Sequence, residues 1–213
     1  MRGIVYMAFG DNAKKEVDEA IASLEEHCNL PTFVVDEMAY GGKCFGSPHE
    51  GHCSGHHIFL PGLVKPHLWE LSPFSQTLYL DADTRVKADV TPLFEILGSG
   101  YDLAIVPGQA AKFVRDTDFA PNELETTLTE LGTGLLFYYN SGVLLWNKND
   151  RTQELFQLWH DEWQRFHNWD EQMALMRALW RSDVKFMTLP QCWNQRTLEG
   201  AMIFHDTGNK RAW

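Results

Sequence analysis

Two aspartates close an apolar run in the segment Leu78-Tyr79-Leu80-Asp81-Ala82-Asp83-Thr84. Such a run reads as a buried strand that surfaces at its carboxyl end, where open α/β sheets place their ligands. Residues i and i+2 of an extended chain point the same way, so Asp81 and Asp83 are expected to converge on one point. Two carboxylates that close repel unless a cation lies between them, and a divalent metal is the usual solution. The competing reading is a polar strand end capped by turn-forming aspartates.

Four further groups have chemistry to offer. Asn140-Ser141-Gly142 interrupts the apolar strand pattern of residues 138–147, and a glycine inside a strand marks a bulge or a close backbone approach to a ligand. Asp170, Glu171 and Gln172 open a helical pattern, where the helix dipole favours acids in any case, so capping and function both stand open. His205 ends a late strand, and a lone histidine there reads as structural. Cys44, His49, His52, Cys53, His56 and His57 crowd a glycine-rich stretch. Their spacing fits no standard zinc finger or knuckle, which favours a surface loop near the pocket mouth over a zinc site.

The elements that must position these groups follow from hydrophobic pattern. Residues 3–9 read as a first strand and residues 31–35 as a second. Between them Val17, Ala20, Ile21 and Leu24 form one helical face, with Asp11 or Asn12 as the expected N-cap. That βαβ opening predicts an α/β fold with a mostly parallel central sheet flanked by helices. Short helices are predicted at 65–71 and 91–97, strands at 102–107, 138–147 and 184–190, and two helices after residue 150. Residues 108–130 are polar and irregular and read as an insertion or lid with a solvated surface.

The 213 residues suffice for a single domain with a sizeable core. A net charge of −11 without any basic run argues against nucleic acid and against docking on an anionic membrane. No apolar run reaches the roughly eighteen residues a membrane span needs, and no secretory signal opens the chain. Four cysteines are too few for a disulfide scaffold and read as reduced thiols. A cytoplasmic protein, or a soluble domain of a longer one, is expected. There is no G-x-G-x-x-G turn and no P-loop, so neither a dinucleotide cofactor nor P-loop phosphoryl transfer is indicated. Nothing in the pattern speaks to oligomeric state.

Five blocks in order resemble the glycogenin-like retaining glycosyltransferases, family eight, with the GT-A (Rossmann-like) fold. They are Ala8-Phe9-Gly10-Asp11-Asn12, Tyr79-Leu80-Asp81-Ala82-Asp83, the Tyr139–Asn147 segment, Glu171-Gln172-Met173-Ala174-Leu175, and His205-x-x-Gly208. The resemblance implies a single GT-A domain over 1–213, its nucleotide-binding part at about 1–107 and its donor-sugar and acceptor part at about 108–213. It implies a metal held by Asp81, Asp83 and His205, with Mn²⁺ favoured by the mixed carboxylate and imidazole set and Mg²⁺ as the other candidate. It further implies UDP-sugar contacts from Ala8, Phe9, Gly10, Lys65, Asp81, Ala82, Asp83, Ser141, Gly208 and Arg211. Asn140, Glu171 and Gln172 would hold the donor sugar, and with Asp83 they form the expected catalytic set. Arg211-Ala212-Trp213 replaces the family's Lys-Pro-Trp, so Arg211 or Lys210 could take the β-phosphate. Asp170-Glu171 before Gln172 leaves the acidic register open by one residue.

The implied reaction moves a hexose-type sugar, UDP-glucose or UDP-galactose being the default donors, to a hydroxyl of a glycan or glycoprotein. Asp81-Ala82-Asp83-Thr84 also matches the nucleophile motif of haloacid-dehalogenase-type phosphatases. That alternative needs a later acidic pair at a strand end, which the sequence lacks. A non-catalytic glycan-binding domain is the remaining alternative.

Overall fold

The computed structural model describes residues 1–40, 64–108, 122–132, 138–166 and 171–206. The Cys44–His57 segment, Asp170, Gly208, Lys210 and Arg211 lie outside them. In chain order the elements are β1 (Arg2–Met7), α1 (Gly10–Glu25), β2 (Thr32–Val35), a 3₁₀ turn (Lys65–His67) running into α2 (Leu68–Leu71), β3 (Gln76–Leu80), β4 (Thr84–Val86), a second 3₁₀ turn (Thr91–Leu93) with α3 (Phe94–Gly98), β5 (Leu103–Pro107), α4 (Glu123–Leu131), β6 (Tyr139–Asn147), α5 (Asp150–Gln164), α6 (Gln172–Arg181), β7 (Phe186–Thr188), a third 3₁₀ turn (Gln191–Asn194) and β8 (Ile203–His205).

Six strands form the central sheet in the order β2-β1-β3-β6-β5-β7, and β4 pairs with β8 in a separate ribbon. The β1–β2, β1–β3 and β5–β7 pairings are parallel, whereas β6 runs antiparallel to both β3 and β5. The expected α/β architecture with a mostly parallel sheet is present. Alternate residues of each strand feed opposite layers. Val5, Tyr79, Ile105 and Trp146 enter one core with Leu155, Trp159 and Leu175 of α5 and α6. Ile4, Leu78, Ala104 and Leu145 enter the other with Val17, Leu24 and Phe94 of α1 and α3. Both faces are covered, which is why the strands read as continuous apolar runs rather than alternating ones.

Two expectations are corrected. The N-cap position of α1 is Phe9, with neither Asp11 nor Asn12 capping, because the helix already begins at Gly10. Gly10 takes a φ of +79°, a conformation glycine adopts without a Cβ clash. Its N–H donates to Glu37 Oε1 at 2.8 Å, so a side chain from beyond β2 satisfies one of the helix's orphan donors. Residues 123–131, expected within a solvated insertion, are a helix with Glu123, Thr127 and Leu131 buried. Its acids pair with arginines of the following helices, a tertiary compensation that polarity along the chain does not show.

Candidate active site

β3 delivers Asp81 at the carboxyl end of the sheet. The next residues do not continue extended: Thr84 N–H and Thr84 Oγ1–H both donate to Asp81 O, at 3.1 and 2.7 Å. The convergence of Asp81 and Asp83 therefore comes from a turn closed by Thr84, not from the strand pleat. Ala82 at its apex packs fully buried in the core, leaving the aspartates, each 7% exposed, on the other side. The chain then enters β4, whose antiparallel register sets Thr84 opposite His205 of β8. A histidine 122 positions later is thus laid against Asp83, and Asp206 N–H fixes the approach by donating to Asp83 O at 3.0 Å.

His205 Nε2 lies 3.1 Å from Asp83 Oδ1 and 3.7 Å from Asp81 Oδ2. One ligand atom from each of Asp81, Asp83 and His205 falls within 4.8 Å of the others. β6 makes room for them. Its register against β5 jumps from Ile105↔Leu144 to Val106↔Asn140, so Ser141, Gly142 and Val143 bulge out of that ladder. A Cβ on Gly142 would meet His205 Cε1 at 2.4 Å and Asp81 Oδ2 at 2.6 Å. Only glycine fits there, and the close approach expected of Asn140-Ser141-Gly142 is to the acid–histidine cluster itself.

A second layer holds Asp81. Tyr79, two residues earlier and on the same strand face, donates its hydroxyl to Asp81 Oδ1 at 2.5 Å. Lys65 Nζ lies 3.0 Å from Asp81 Oδ1, 3.0 Å from Glu171 Oε1 and 3.0 Å from Ser141 Oγ. Ser141 also donates to Glu171. An ammonium has three donors, and Lys65, 4% exposed, has one partner for each. Burial pushes the Lys65 ammonium towards deprotonation, but Asp81 and Glu171 outweigh it and raise its pKa. Burial likewise pushes the Asp81 carboxyl up, while Lys65, His205 and the Tyr79 hydroxyl more than reverse this and leave it below the usual carboxylate range. Tyr79 is raised by burial and by the adjacent Asp81 charge, which keeps it a donor.

The third ring is made of amides. Asn194 bonds His205 Nδ1 at 2.7 Å through its Oδ1 and donates to Asn140 Oδ1 at 2.7 Å. Asn140 donates to Gln172 Oε1 at 3.0 Å, and Gln172 donates to Tyr138 Oη at 3.1 Å. Glu171 is anchored by Trp159, whose Nε1–H donates to its carbonyl at 3.0 Å.

The donor set suits a divalent ion. The cluster has three carboxylates and one ammonium: Lys65 meets Asp81 and Glu171, and the Asp83 carboxylate meets only His205 among the described residues, so two negative charges are uncompensated when His205 is neutral. Asp83 Oδ1 is buried without a hydrogen-bond partner among the described residues, a costly state unless a cation meets it. Hard carboxylate oxygens with one imidazole fit Mn²⁺ or Mg²⁺ better than a soft, thiolate-seeking ion.

Asp81, Asp83, His205, Lys65, Ser141 and Glu171 thus form one cluster, with Asn140 and Gln172 joined to it through hydrogen bonds. Ala8, Phe9 and Gly10 follow β1, which runs parallel beside β3, so they sit at the same sheet edge. Ala8 and Ala82 are fully buried and offer backbone only, while Phe9 stacks edge-on to Tyr40 at 6.0 Å. Sequence reasoning assigned no role to Tyr79 or Asn194. Tyr79 carried a signal, its i, i+2 relation to Asp81; Asn194 carried none.

A sheet of this order with a metal-ready acidic cluster at the end of β3 defines a GT-A glycosyltransferase fold. The sequence model of glycosyl transferase family 8 matches residues 14–200, and the chain belongs to that family. Among solved structures it is similar to the galactosyltransferase LgtC, in complex with donor and acceptor sugar analogues, at 18% identity and a TM-score of 0.61, covering 96% of this chain and 86% of that one. Mouse xyloside xylosyltransferase 1 is similar at 14% identity and a TM-score of 0.63, covering 96% and 97%. The glycosyltransferase GlyE of Streptococcus pneumoniae TIGR4 is similar at 19% identity and a TM-score of 0.56, covering 90% and 45%. At these identities the likeness is one of fold. Comparison with curated proteins finds no match. Among the described residues no helix is long and apolar enough to cross a membrane.

Proposed function

We propose that this family 8 chain is a metal-dependent retaining transferase that moves a hexose-type sugar from a UDP-sugar to a hydroxyl of a glycan or glycoprotein. The observation that carries the reading is the buried Asp81–Asp83–His205 cluster with its two uncompensated negative charges. Those three residues would hold Mn²⁺, or Mg²⁺ in its place. When bound, the ion supplies Lewis-acid stabilisation of the charge that develops on a departing diphosphate.

The chain's own residues do the rest. Lys65 and Tyr79 fix the Asp81 carboxylate from behind. The Phe9–Gly10 edge of β1 takes the uridine, and Asn140 and Gln172 present amides to the donor sugar. By resemblance, Gly208 contacts the UDP-sugar, and Arg211 or Lys210 takes the β-phosphate. Residues 1–107 supply the nucleotide side and 108–213 the sugar and acceptor side of one catalytic unit. A sugar losing its diphosphate passes through an oxocarbenium-like state. Glu171 Oε1 is held by Lys65 and Ser141, which favours positioning over nucleophilic attack. Front-face attack, with the leaving phosphate oxygen taking the acceptor proton, therefore fits better than a covalent enzyme intermediate. A reduced, cytoplasmic setting is the reading that four cysteines in a chain of 213 residues favour.

Incubation with UDP-glucose or UDP-galactose and Mn²⁺ is expected to release UDP slowly to water, with no release of phosphate from monoesters. Calorimetry should show Mn²⁺-dependent UDP binding that is lost in Asp83→Ala. Unchanged binding in that variant refutes the metal assignment. A product with inverted anomeric configuration by NMR refutes the retaining one.

A further inference from the structure

The amide ring around the cluster has a direction, and one backbone group sets it. Gly142 N–H donates to Asn140 Oδ1 at 2.9 Å. A backbone N–H has a single role, so the Asn140 carbonyl must face it and the Asn140 amide nitrogen must face Gln172 Oε1. Asn194 also touches Asn140 Oδ1, at 2.7 Å. It must do so with its own nitrogen, because two carbonyl oxygens cannot share a hydrogen bond. That turns Asn194 Oδ1 towards His205 Nδ1, 2.7 Å away, and an acceptor there requires the proton on Nδ1. In the neutral ring Nε2 then carries the lone pair, and Nε2 is the nitrogen that faces Asp83 and Asp81.

We infer that Asn194 is a positioning residue that selects the His205 tautomer able to ligate a metal, with Gly142 N–H and Asn140 setting its orientation. The inference rests on the metal-dependent reading above. It goes further in giving the metal site a built polarity, and in linking that polarity to the donor side. The Asn140 amide that orients Asn194 is the same one that donates to Gln172. A donor sugar that engages Asn140 therefore reports to His205 through two hydrogen bonds, and one that engages Gln172 through three. Asn194 is 4% exposed and lies in the third 3₁₀ turn, which packs on β8. Gln195, next in the chain, accepts from His205 N–H at 2.8 Å, so one short segment holds both the backbone and the ring of His205.

The test uses two variants and three readouts. Asn194→Ala removes the acceptor and should weaken Mn²⁺ binding, measured by calorimetry without nucleotide, by about 10–100-fold, the usual effect of losing a ligand's hydrogen-bond partner. Asn194→Asp keeps an acceptor for Nδ1 but has no donor for Asn140. It should hold Mn²⁺ affinity within about threefold of the native protein while weakening UDP-sugar binding in saturating Mn²⁺ by about tenfold. In the native protein at a pH where the ring is neutral, ¹⁵N NMR of labelled histidine should show the His205 proton on Nδ1. Native Mn²⁺ affinity in both variants overturns the inference, as does a His205 proton on Nε2. Equal losses of metal in both variants reduce Asn194 to packing and overturn it too. If the native protein itself binds no metal, the functional reading fails first. Native binding with indifferent Asn194 variants fails only this inference.

Discussion

Among the described residues, two ionic clusters with buried centres are built to opposite rules. One joins α4, α5 and α6. Arg177, fully buried, bonds Glu162 at 2.7 Å, Glu123 at 3.2 Å and Thr127 at 2.7 Å. Arg165 and Arg181 close on Glu162 and Glu130. Three arginines meet three glutamates, and the guanidinium forks fill the available carboxylate positions. The other joins β3, β6, β8, the first 3₁₀ turn and the start of α6. There three carboxylates stand with one lysine, and Asp83 Oδ1 has no hydrogen-bond partner among the described residues. Arg177, Glu123 and Glu162 are as buried as Lys65, Asp81, Asp83 and Glu171, while Arg165, Arg181 and Glu130 reach solvent, so desolvation does not distinguish the inner members of the two clusters. Charge balance does. A closed cluster has nothing left to bind, whereas one short of two positive charges keeps its structure only with a cation or a proton supplied from outside.

The sharpest break is at Arg177. Arg177→Met should lower unfolding free energy by about 3–5 kcal/mol, because it leaves the buried Glu123 and Glu162 short of their shared cation. Denaturant titration measures it, and Mn²⁺ affinity should not change. A loss of metal binding in that variant would dissolve the distinction between the two clusters. The second break is at Asp83. Asp83→Asn should reduce transferase turnover by about 10²–10³-fold, on the order of 3–4 kcal/mol of transition-state stabilisation. The metal-free variant should be as stable as the native protein or more so, since one uncompensated charge has gone. Destabilisation of the metal-free variant by several kcal/mol would mean that the cluster is closed after all.

Ligand addition probes the same contrast more gently. Mn²⁺ at a hundred times its dissociation constant should stabilise the native protein by about 2.7 kcal/mol. At roughly 2–4 °C per kcal/mol for a chain of this size, the melting temperature should rise by about 5–11 °C. The rise should vanish in Asp83→Asn and persist in Arg177→Met. A rise that survives in Asp83→Asn places the stabilising ion elsewhere.

The two clusters also differ in how far the sequence reveals them. Asp81 and Asp83 announce themselves because their spacing is local and follows an apolar run. His205 becomes legible only beside the other family blocks, because its approach depends on the β4–β8 register across 122 positions. The pattern indicated that Asp81 and Asp83 converge but gave the strand pleat as the reason, whereas a turn closed by Thr84 does it, since the Thr84 hydroxyl bond that turns the chain is a detail of side-chain geometry. Glu123 and Glu130 looked like solvated acids because their partners Arg165, Arg177 and Arg181 lie on later helices, 35 to 54 positions away. Polarity along the chain does not register a compensation made in three dimensions. The strands and the α1 face were legible for the converse reason: burial on both sides of a sheet writes itself as uninterrupted apolar runs.

Asp102 tests whether balance at the local level suffices when only one partner is buried. Its carboxylate is buried before β5 and accepts from Arg151 Nε at 2.7 Å, Arg151 Nη2 at 2.6 Å, Asn149 Nδ2 at 2.8 Å and Lys185 N–H at 2.9 Å. The Arg151 bonds above all, aided by those from Lys185 and Asn149, hold its pKa below the usual range against the cost of burial. A depressed folded-state pKa contributes stability above the unfolded value, near 3.9, and that contribution fades as pH falls through the folded value. Asp102→Asn should therefore cost about 1–2 kcal/mol at pH 7, the scale of a charge-assisted hydrogen bond reduced by the exposure of Arg151. The gap between variant and native protein should narrow once pH drops below about 4. Urea midpoints at pH 7 and pH 3 measure both. A gap that is the same at the two values would mean that Asp102 acts by hydrogen-bond geometry alone, and charge balance would then not be the rule that separates the closed cluster from the open one.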